Sequence, residues 1–202
     1  MENHLRPWRR EVTMPASGFR HVTNWCVFTG APSSGKTSVL EEMAHRGFAV
    51  QNEVARELIE TALRHGKTLS DIRDRDHVQQ LQHRIVKLKL AREKGLRPET
   101  LVFSDRGTPD SIAYYRLAGL DVTEAVVASK IFKYRAVFLF DRLKLVHDDV
   151  RTEDDAQAIA IEKMIIADYQ SLGYAPVRVP VMPIAERADF ILRHLGEKLR
   201  VE

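Results

Sequence analysis

Short apolar segments alternate along almost the whole chain with longer segments of helical periodicity. The apolar segments predict five strands, at 25–29, 48–50, 101–103, 136–140 and 177–181. Between them, apolar residues recur every three or four positions, which predicts helices at 37–46, 54–64, 74–94, 123–133, 152–172 and 184–199. A further helix is predicted after the third strand, with Thr108 as its cap and Pro109 in its first turn. Alternating strands and helices require crossover connections. The pattern therefore predicts an α/β fold, with a parallel five-stranded sheet and helices on both faces.

Polar residues of chemical interest follow four of the predicted strands directly. Gly30 follows the first strand, Glu53 lies just after the second, Asp105 closely follows the third, and Asp141 follows the fourth. The carboxyl ends of parallel strands lie at one edge of the sheet, where α/β proteins bind their ligands. The pattern predicts one functional site that contains these positions.

The loop after the first strand fits the motif G-x-x-x-x-G-K-[ST], and its sequence is Gly30-Ala31-Pro32-Ser33-Ser34-Gly35-Lys36-Thr37. Glycine at both ends of the motif permits torsions and close approaches that let backbone amides converge on phosphate oxygens. Lys36 supplies a cation for the β and γ phosphates, and the Thr37 hydroxyl is a suitable ligand for Mg²⁺. The following helix directs the positive end of its dipole at the anion. We expect the nucleotide to be bound by Gly30, Ala31, Pro32, Ser33, Ser34, Gly35, Lys36, Thr37 and Ser38.

The charge of the chain is concentrated at its beginning. The chain has 202 residues and a net charge of +3, of which residues 1–23 contribute +2. We therefore expect a basic, disordered tail over 1–23 and one P-loop domain over 24–202, with Met14 as an alternative start. Because no basic face is evident outside the tail, nucleic acid is not an expected partner.

Neither the tail nor any other segment has the apolar run of a signal peptide or a membrane span, so a cytoplasmic location is expected. The single cysteine, Cys26, lies in the first predicted strand and is expected to be a buried core residue. The eight histidines lack the spacing of a zinc site.

Several blocks of the sequence resemble the AAA-like P-loop ATPase family related to nucleoside kinases, a family that includes the ribosylnicotinamide kinase domain of the NadR regulator. The blocks are FTGAPSSGKTSVLEEMAHRGFAVQNEVARELI, VFSDRGTPDSIAYYRLAG, HDDVRTED and VPVMPIAERADFIL. The resemblance covers residues 24–195. It implies a kinase-like fold that binds ATP and Mg²⁺, with a short lid. The motifs of Ras-like GTPases and of transporter ATPases are absent from the sequence, and the chain is too short after its core for the helical lid of a ring ATPase.

The resemblance also suggests roles for three residues near the P-loop. Asp105 is expected to hold Mg²⁺ opposite Thr37. Asp141 is the alternative metal ligand, because it follows an equally apolar strand. Arg106 resembles an arginine that reaches phosphate or substrate, although a structural pairing with Glu53 or Asp105 is equally open. Glu53 resembles the carboxylate that takes a proton from the substrate hydroxyl, the alternative being an ion pair at the start of its helix.

Residues 141–155 resemble a lid that closes over the phosphates, with Arg151, and less strongly Arg142, as candidate clamps. A solvated charge run is the alternative interpretation of this acidic segment. Analogy to other P-loop kinases suggests that the adenine base stacks near Met182 and Pro183.

Two functions remain open from the sequence. The first is an ATP- and Mg²⁺-dependent phosphotransferase that acts on a small hydroxylated, nucleoside-like metabolite and uses Lys36, Glu53, Asp105, Arg106 and Arg151. The second is an ATP-binding or ATP-hydrolysing regulatory switch with a protein partner and no small-molecule acceptor. A large polar cavity beside Glu53 and Arg106 would favour the first, whereas a closed apolar cavity would favour the second.

Overall fold

The fold is described from a computed structural model, which describes residues 18–68, 71, 74–143 and 152–196. Its strands are β1 (His21–Val22), β2 (Trp25–Thr29), β3 (Ala49–Gln51), β4 (Val102–Asp105), β5 (Phe132–Lys133), β6 (Ala136–Phe140) and β7 (Val177–Val179). Its helices are α1 (Lys36–His45), α2 (Val54–Arg64), α3 (Arg75–Lys94), α4 (Asp110–Leu117), α5 (Thr123–Ser129), α6 (Thr152–Ser171) and α7 (Ile184–Leu195).

The predicted five-stranded parallel sheet is confirmed. Its strand order is β3-β4-β2-β6-β7, and every neighbouring pair is parallel. The strand that leads into the P-loop is therefore central, with β4 on one side and β6 on the other. This order places the ends of β3, β4 and β6 around the loop.

Both faces of β2 are buried, and its side chains alternate between two cores. Cys26 and Phe28 pack with α1 and α7 on one face. Trp25 and Val27 face the opposite side, where α4 and α6 cover the sheet. This alternation has the period of two that a strand imposes, and the apolar run from Trp25 to Phe28 is typical of a parallel strand buried on both faces.

A second, two-stranded sheet was not predicted. Strand β1 pairs in parallel with β5, so His21 lies opposite Phe132. The helix expected over 123–133 therefore ends at Ser129. The physical reason is tertiary packing: the Phe132 ring lies 5.0 Å from the Trp25 ring and joins the core beneath the main sheet. Within the expected tail over 1–23, residues 18–23 are described and include β1, whereas residues 1–17 lie outside the described residues.

The start of α4 also differs from the expectation. Thr108 does not cap this helix, because its hydroxyl donates to Glu93 at 3.0 Å, and Pro109 occupies the position before the first helical residue. Among the described helices, none is long and apolar enough to cross a bilayer.

Candidate functional site

Glycine is required at both ends of the P-loop by the backbone conformation there. Gly30 has φ of +129°, and a Cβ there would lie 2.8 Å from the carbonyl oxygen of Phe140. Gly35 has φ of +84° and precedes the first residue of α1. The loop can therefore pass against the end of β6 and turn sharply into the helix, whose first amides face the site.

Lys36 lies inside the loop that it belongs to. Its Nζ donates to the carbonyl oxygen of Ala31 at 2.8 Å and to the hydroxyl of Ser34 at 3.1 Å. Burial, with the charge of Arg106 in addition, lowers the pKa of Lys36 to about 8. Phosphate oxygens are stronger acceptors for this ammonium than a carbonyl or a hydroxyl, so a bound polyphosphate would raise that pKa again.

A pair of oxygen ligands lies at the start of α1. The Thr37 hydroxyl donates to Oδ2 of Asp105 at 2.8 Å, and Asp105 is 2% exposed. Its other carboxylate oxygen is buried and has no hydrogen-bond partner among the described residues. Burial raises the pKa of Asp105, although Lys36 acts in the opposite direction. An orphaned carboxylate oxygen beside a hydroxyl fits Mg²⁺, which takes a few protein oxygens together with phosphates and water.

No group of three or more His, Cys, Asp or Glu that could hold a metal ion by itself is found among the residues that the structure describes. This agrees with a cation that would depend on the phosphates of a nucleotide for part of its coordination.

Strand order does not decide between Asp105 and Asp141, since β4 and β6 both adjoin β2. The side chains decide instead. Asp105 contacts Thr37 of the P-loop, whereas Asp141 forms an ion pair with Arg178 of β7 at 2.5 Å. Of the two acids, Asp105 is the one placed to act with Thr37.

Arg106 is held in an unusual backbone conformation. Its φ is +66°, a left-handed value that is uncommon for a residue other than glycine and typical of functional sites. The guanidinium donates to Glu53 at 2.8 Å, to Asp110 at 3.1 Å and to the carbonyl oxygen of Gly30 at 3.1 Å. Burial by itself would lower the pKa of Arg106, but Tyr114 and the nearby carboxylates raise this pKa above its ordinary value. Arg106 therefore connects the P-loop to Glu53 as a permanent cation.

Asp110 is the buried residue that organises this region, and the sequence analysis did not identify it. Its carboxylate accepts hydrogen bonds from the Thr29 hydroxyl at 2.6 Å, from the Gly107 amide at 2.9 Å and from the Tyr169 hydroxyl at 2.7 Å, in addition to the bond from Arg106. Burial alone would raise the pKa of Asp110, but Arg106 and the other donors lower it. The one signal in the sequence was its position four residues after Arg106, at the start of a helix.

Two cavities adjoin at this site. The first, the phosphate cavity, has a volume of about 550 Å³ and is lined mainly by P-loop residues, together with Leu143. The second cavity has a volume of about 440 Å³ and lies between α2, α3 and α4. The two share one wall, which consists of Glu53, Arg56, Arg106 and Tyr114.

The second cavity is neither closed nor purely apolar. Its volume lies within the range of about 300–1,000 Å³ that small-molecule sites occupy. The lining combines apolar side chains with charged and polar ones, the latter being Glu53, Arg56, Glu60, Gln82, Lys89, Arg106 and Ser111. The cavity therefore meets the expectation for a phosphotransferase in size and access, but only in part in polarity, because most of its exposed lining is apolar.

The pairing of Arg106 with Glu53 that the sequence left open is present, whereas Arg56, which lines both cavities, forms no ion pair with a described residue. Other predicted residues are not part of the phosphate cavity. Met182 and Pro183 do not line the phosphate cavity. Arg142 directly follows Asp141, whereas Arg151 lies outside the described residues.

The structure adds Arg187 of α7 to the residues that support the P-loop. Its Nη1 donates to the carbonyl oxygen of Ser34 at 2.8 Å, and its guanidinium lies over the ring of Phe140. Arg187 is 2% exposed, and burial lowers its pKa. Its position within a helical apolar pattern concealed it, since only the packing of α7 against α1 brings it to the loop.

A model of a family described as AAA domain matches residues 25–187. No curated protein matches the chain. Solved structures show the same fold. A structure of NadR in complex with NR has a TM-score of 0.65 and 16% identity, and the match covers 90% of this chain and 54% of NadR.

A second structure of NadR, with NAD and AMP-PNP, has a TM-score of 0.65 and 15% identity. The match covers 89% of this chain and 51% of the NadR chain. Deoxyadenosine kinase from M. mycoides, with the products dCMP and dCDP, has a TM-score of 0.56 and 13% identity, and covers 85% of this chain and 98% of its own. This chain thus spans about half the length of the NadR structures that it matches and most of the length of the kinase.

Replacement of the central carboxylate tests the role of Asp110 in the fold. In Asp110→Asn, a similar side chain without charge leaves Arg106 with fewer partners, and we expect a loss of about 3–5 kcal/mol in the free energy of unfolding. Urea denaturation measures this loss. The matched control is Asp121→Asn at the exposed start of α5, where asparagine can still accept the hydrogen bonds from Thr123 and stability should change far less. Equal effects of the two substitutions would contradict the central role of Asp110.

Proposed function

The chain belongs to the AAA domain family, and we propose that it is an ATP- and Mg²⁺-dependent phosphotransferase whose acceptor is a small, hydroxylated, nucleoside-like metabolite. The observation that supports this best is the second cavity, which opens beside the P-loop and shares a wall with the phosphate cavity. A nucleotide switch needs only the phosphate cavity. A kinase needs both, with a carboxylate and a cation between them.

The shared wall contains the groups that a transfer reaction uses. Glu53 lies at the head of α2, and its carboxylate is oriented by the hydrogen bond from Arg106. A hydroxyl of the acceptor would donate to Glu53, and its oxygen would attack the γ-phosphorus of ATP. The bond between that phosphorus and the β–γ bridging oxygen would break, the proton would pass to Glu53, and ADP would leave.

The cations around the P-loop supply the electrostatic part of the reaction. Lys36 would exchange the Ala31 carbonyl for phosphate oxygens, and Arg106 would lie beside the transferred group. Phosphoryl transfer depends mostly on positioning and charge stabilisation, so fixed cations at this wall would lower the barrier. Thr37 and Asp105 would hold Mg²⁺, which neutralises charge on the phosphates. Arg151 remains our proposal for a lid residue.

The solved neighbours agree with this acceptor class. Their ligands are NR, NAD, AMP-PNP, dCMP and dCDP, which are nucleosides or nucleotides. The likeness to these proteins is one of fold, so the acceptor of this chain has to be identified by experiment.

A screen of acceptors is the first test. Mg²⁺-dependent ATP turnover is measured with and without a pool of nucleosides and small hydroxylated metabolites, and a phosphorylated product is identified by mass spectrometry. We expect one acceptor class to stimulate turnover. The Lys36→Ala variant is the blank, because it lacks the phosphate-binding ammonium and should be inactive. Slow turnover that no acceptor changes would instead favour the regulatory switch, and full transfer by Lys36→Ala would reject the mechanism.

Removal of the proposed base separates transfer from nucleotide binding. Glu53→Gln retains the hydrogen bond to Arg106 but cannot take a proton, so kcat for the acceptor should fall by about 10²–10⁴-fold, with little change in ATP affinity. Steady-state kinetics and calorimetry measure the two quantities. Glu99→Gln, an exposed and remote glutamate, is the control. An unchanged kcat in Glu53→Gln would assign the carboxylate a structural role only.

The two candidate metal ligands are compared by the same substitution. Asp105→Asn should raise the Mg²⁺ concentration needed for half-maximal turnover by about tenfold or more, because the charged oxygen beside Thr37 is lost. Asp141→Asn removes only a partly exposed ion pair with Arg178 and should leave that concentration nearly unchanged. The opposite order of effects would make Asp141 the metal ligand.

A further inference from the structure

A buried lysine borders the second cavity. Lys89, near the end of α3, is 5% exposed. It lines the second cavity but not the phosphate cavity, in contrast to Glu53 and Arg106. Its hydrogen-bond partner Gly107 directly follows Arg106, so Lys89 lies close to the wall that the two cavities share.

The hydrogen bonds of Lys89 leave part of its capacity unused. Its Nζ donates to the carbonyl oxygen of Gly107 at 2.8 Å and to the hydroxyl of Ser111 at 3.3 Å. An ammonium has three donors, and among the described residues we find no third acceptor and no carboxylate within 4 Å of this nitrogen.

The nearest carboxylates are engaged with other donors. Glu93, one turn further along α3, accepts hydrogen bonds from Tyr134 at 2.5 Å and from Thr108 at 3.0 Å. Asp110 is held by Arg106 and its other donors. Burial lowers the pKa of Lys89, although the charges of Asp110 and of other nearby carboxylates act in the opposite direction.

A buried charge with an open donor is costly unless an acceptor reaches it. The second cavity, which Lys89 lines, offers space in which a ligand atom could serve as that acceptor. Leu81 and Ile85 of α3 add apolar surface along the same wall. A flat molecule with an oxygen at one end would match this combination.

We propose that Lys89 is a specificity residue, which binds an oxygen acceptor on the heterocyclic end of the phosphoryl acceptor while the hydroxyl end lies at Glu53. This oxygen is either a base carbonyl or a carboxylate, and both are acceptors for an ammonium. The inference rests on the proposed function, because it names the chemical class that the second cavity selects.

Matched pairs of acceptors test the proposal and distinguish the two sources of the oxygen. Inosine and adenosine differ by a carbonyl in place of an amino group, and nicotinic acid riboside and nicotinamide riboside differ by a carboxylate in place of an amide. For each compound, kcat and KM are measured with saturating ATP, and binding is measured separately by calorimetry. We expect inosine to be preferred over adenosine if the oxygen is a carbonyl, and the acid riboside to be preferred over the amide if it is a carboxylate.

The same measurements are made on Lys89→Met, which is similar in length but has no donor. The preference should fall by tenfold to a hundredfold, through KM and the binding constant rather than through kcat. Lys87→Met, on the exposed side of the same helix, is the matched control and should keep the preference. If Lys89→Met fails to fold by thermal unfolding, Lys89→Gln replaces it, and we expect this variant to lose the carboxylate preference while it retains part of the carbonyl preference.

The outcomes separate this inference from the function that it rests on. Transfer to acceptors without discrimination in either pair, or a preference that survives in Lys89→Met, overturns the role of Lys89 and leaves the phosphotransferase intact. Absence of transfer to every acceptor, in the wild type and in the broader pool, overturns both.

Discussion

The buried carboxylate of Asp110 is the interaction on which the rest of the site depends. It connects the end of β2, through Thr29, to the first turn of α4 and, through Tyr169, to α6. Its charge compensates Arg106, which in turn connects the P-loop to Glu53. A buried ion pair contributes little to stability by itself, but one with all of its donors in place fixes a single arrangement of the groups around it.

This constraint explains why the strained backbone at Arg106 persists. A left-handed torsion costs free energy in a residue with a side chain, and it is maintained when the surroundings determine the geometry. Here the guanidinium has two carboxylates and a loop carbonyl as acceptors, at the start of α2, at the start of α4 and in the P-loop. Arg106 is therefore a cation fixed in the wall between the two cavities, where it would stabilise the charge of a transferred phosphoryl group.

Much of the fold followed from the sequence because it depends on local pattern. The five strands of the main sheet and the long helices lie where apolar periodicity predicted them, and the P-loop was evident from its motif. The short pairing of β1 with β5 was missed because two-residue strands carry no periodic signal and form only when the ring of Phe132 packs against Trp25. The prediction that Thr108 caps α4 was wrong for a similar reason, because the Thr108 hydroxyl donates to a buried acceptor, Glu93, instead.

The sequence by itself determined a P-loop motif at residues 30–37, in an α/β domain with acids at the strand ends, because motif and periodicity are local properties. Only the tertiary structure decided which acid acts with Thr37, because β4 and β6 both adjoin β2 and the choice depends on side-chain contacts. The same is true of Asp110, Lys89 and Arg187. Each lies in an ordinary helical segment, and only long-range packing places its charge at the site.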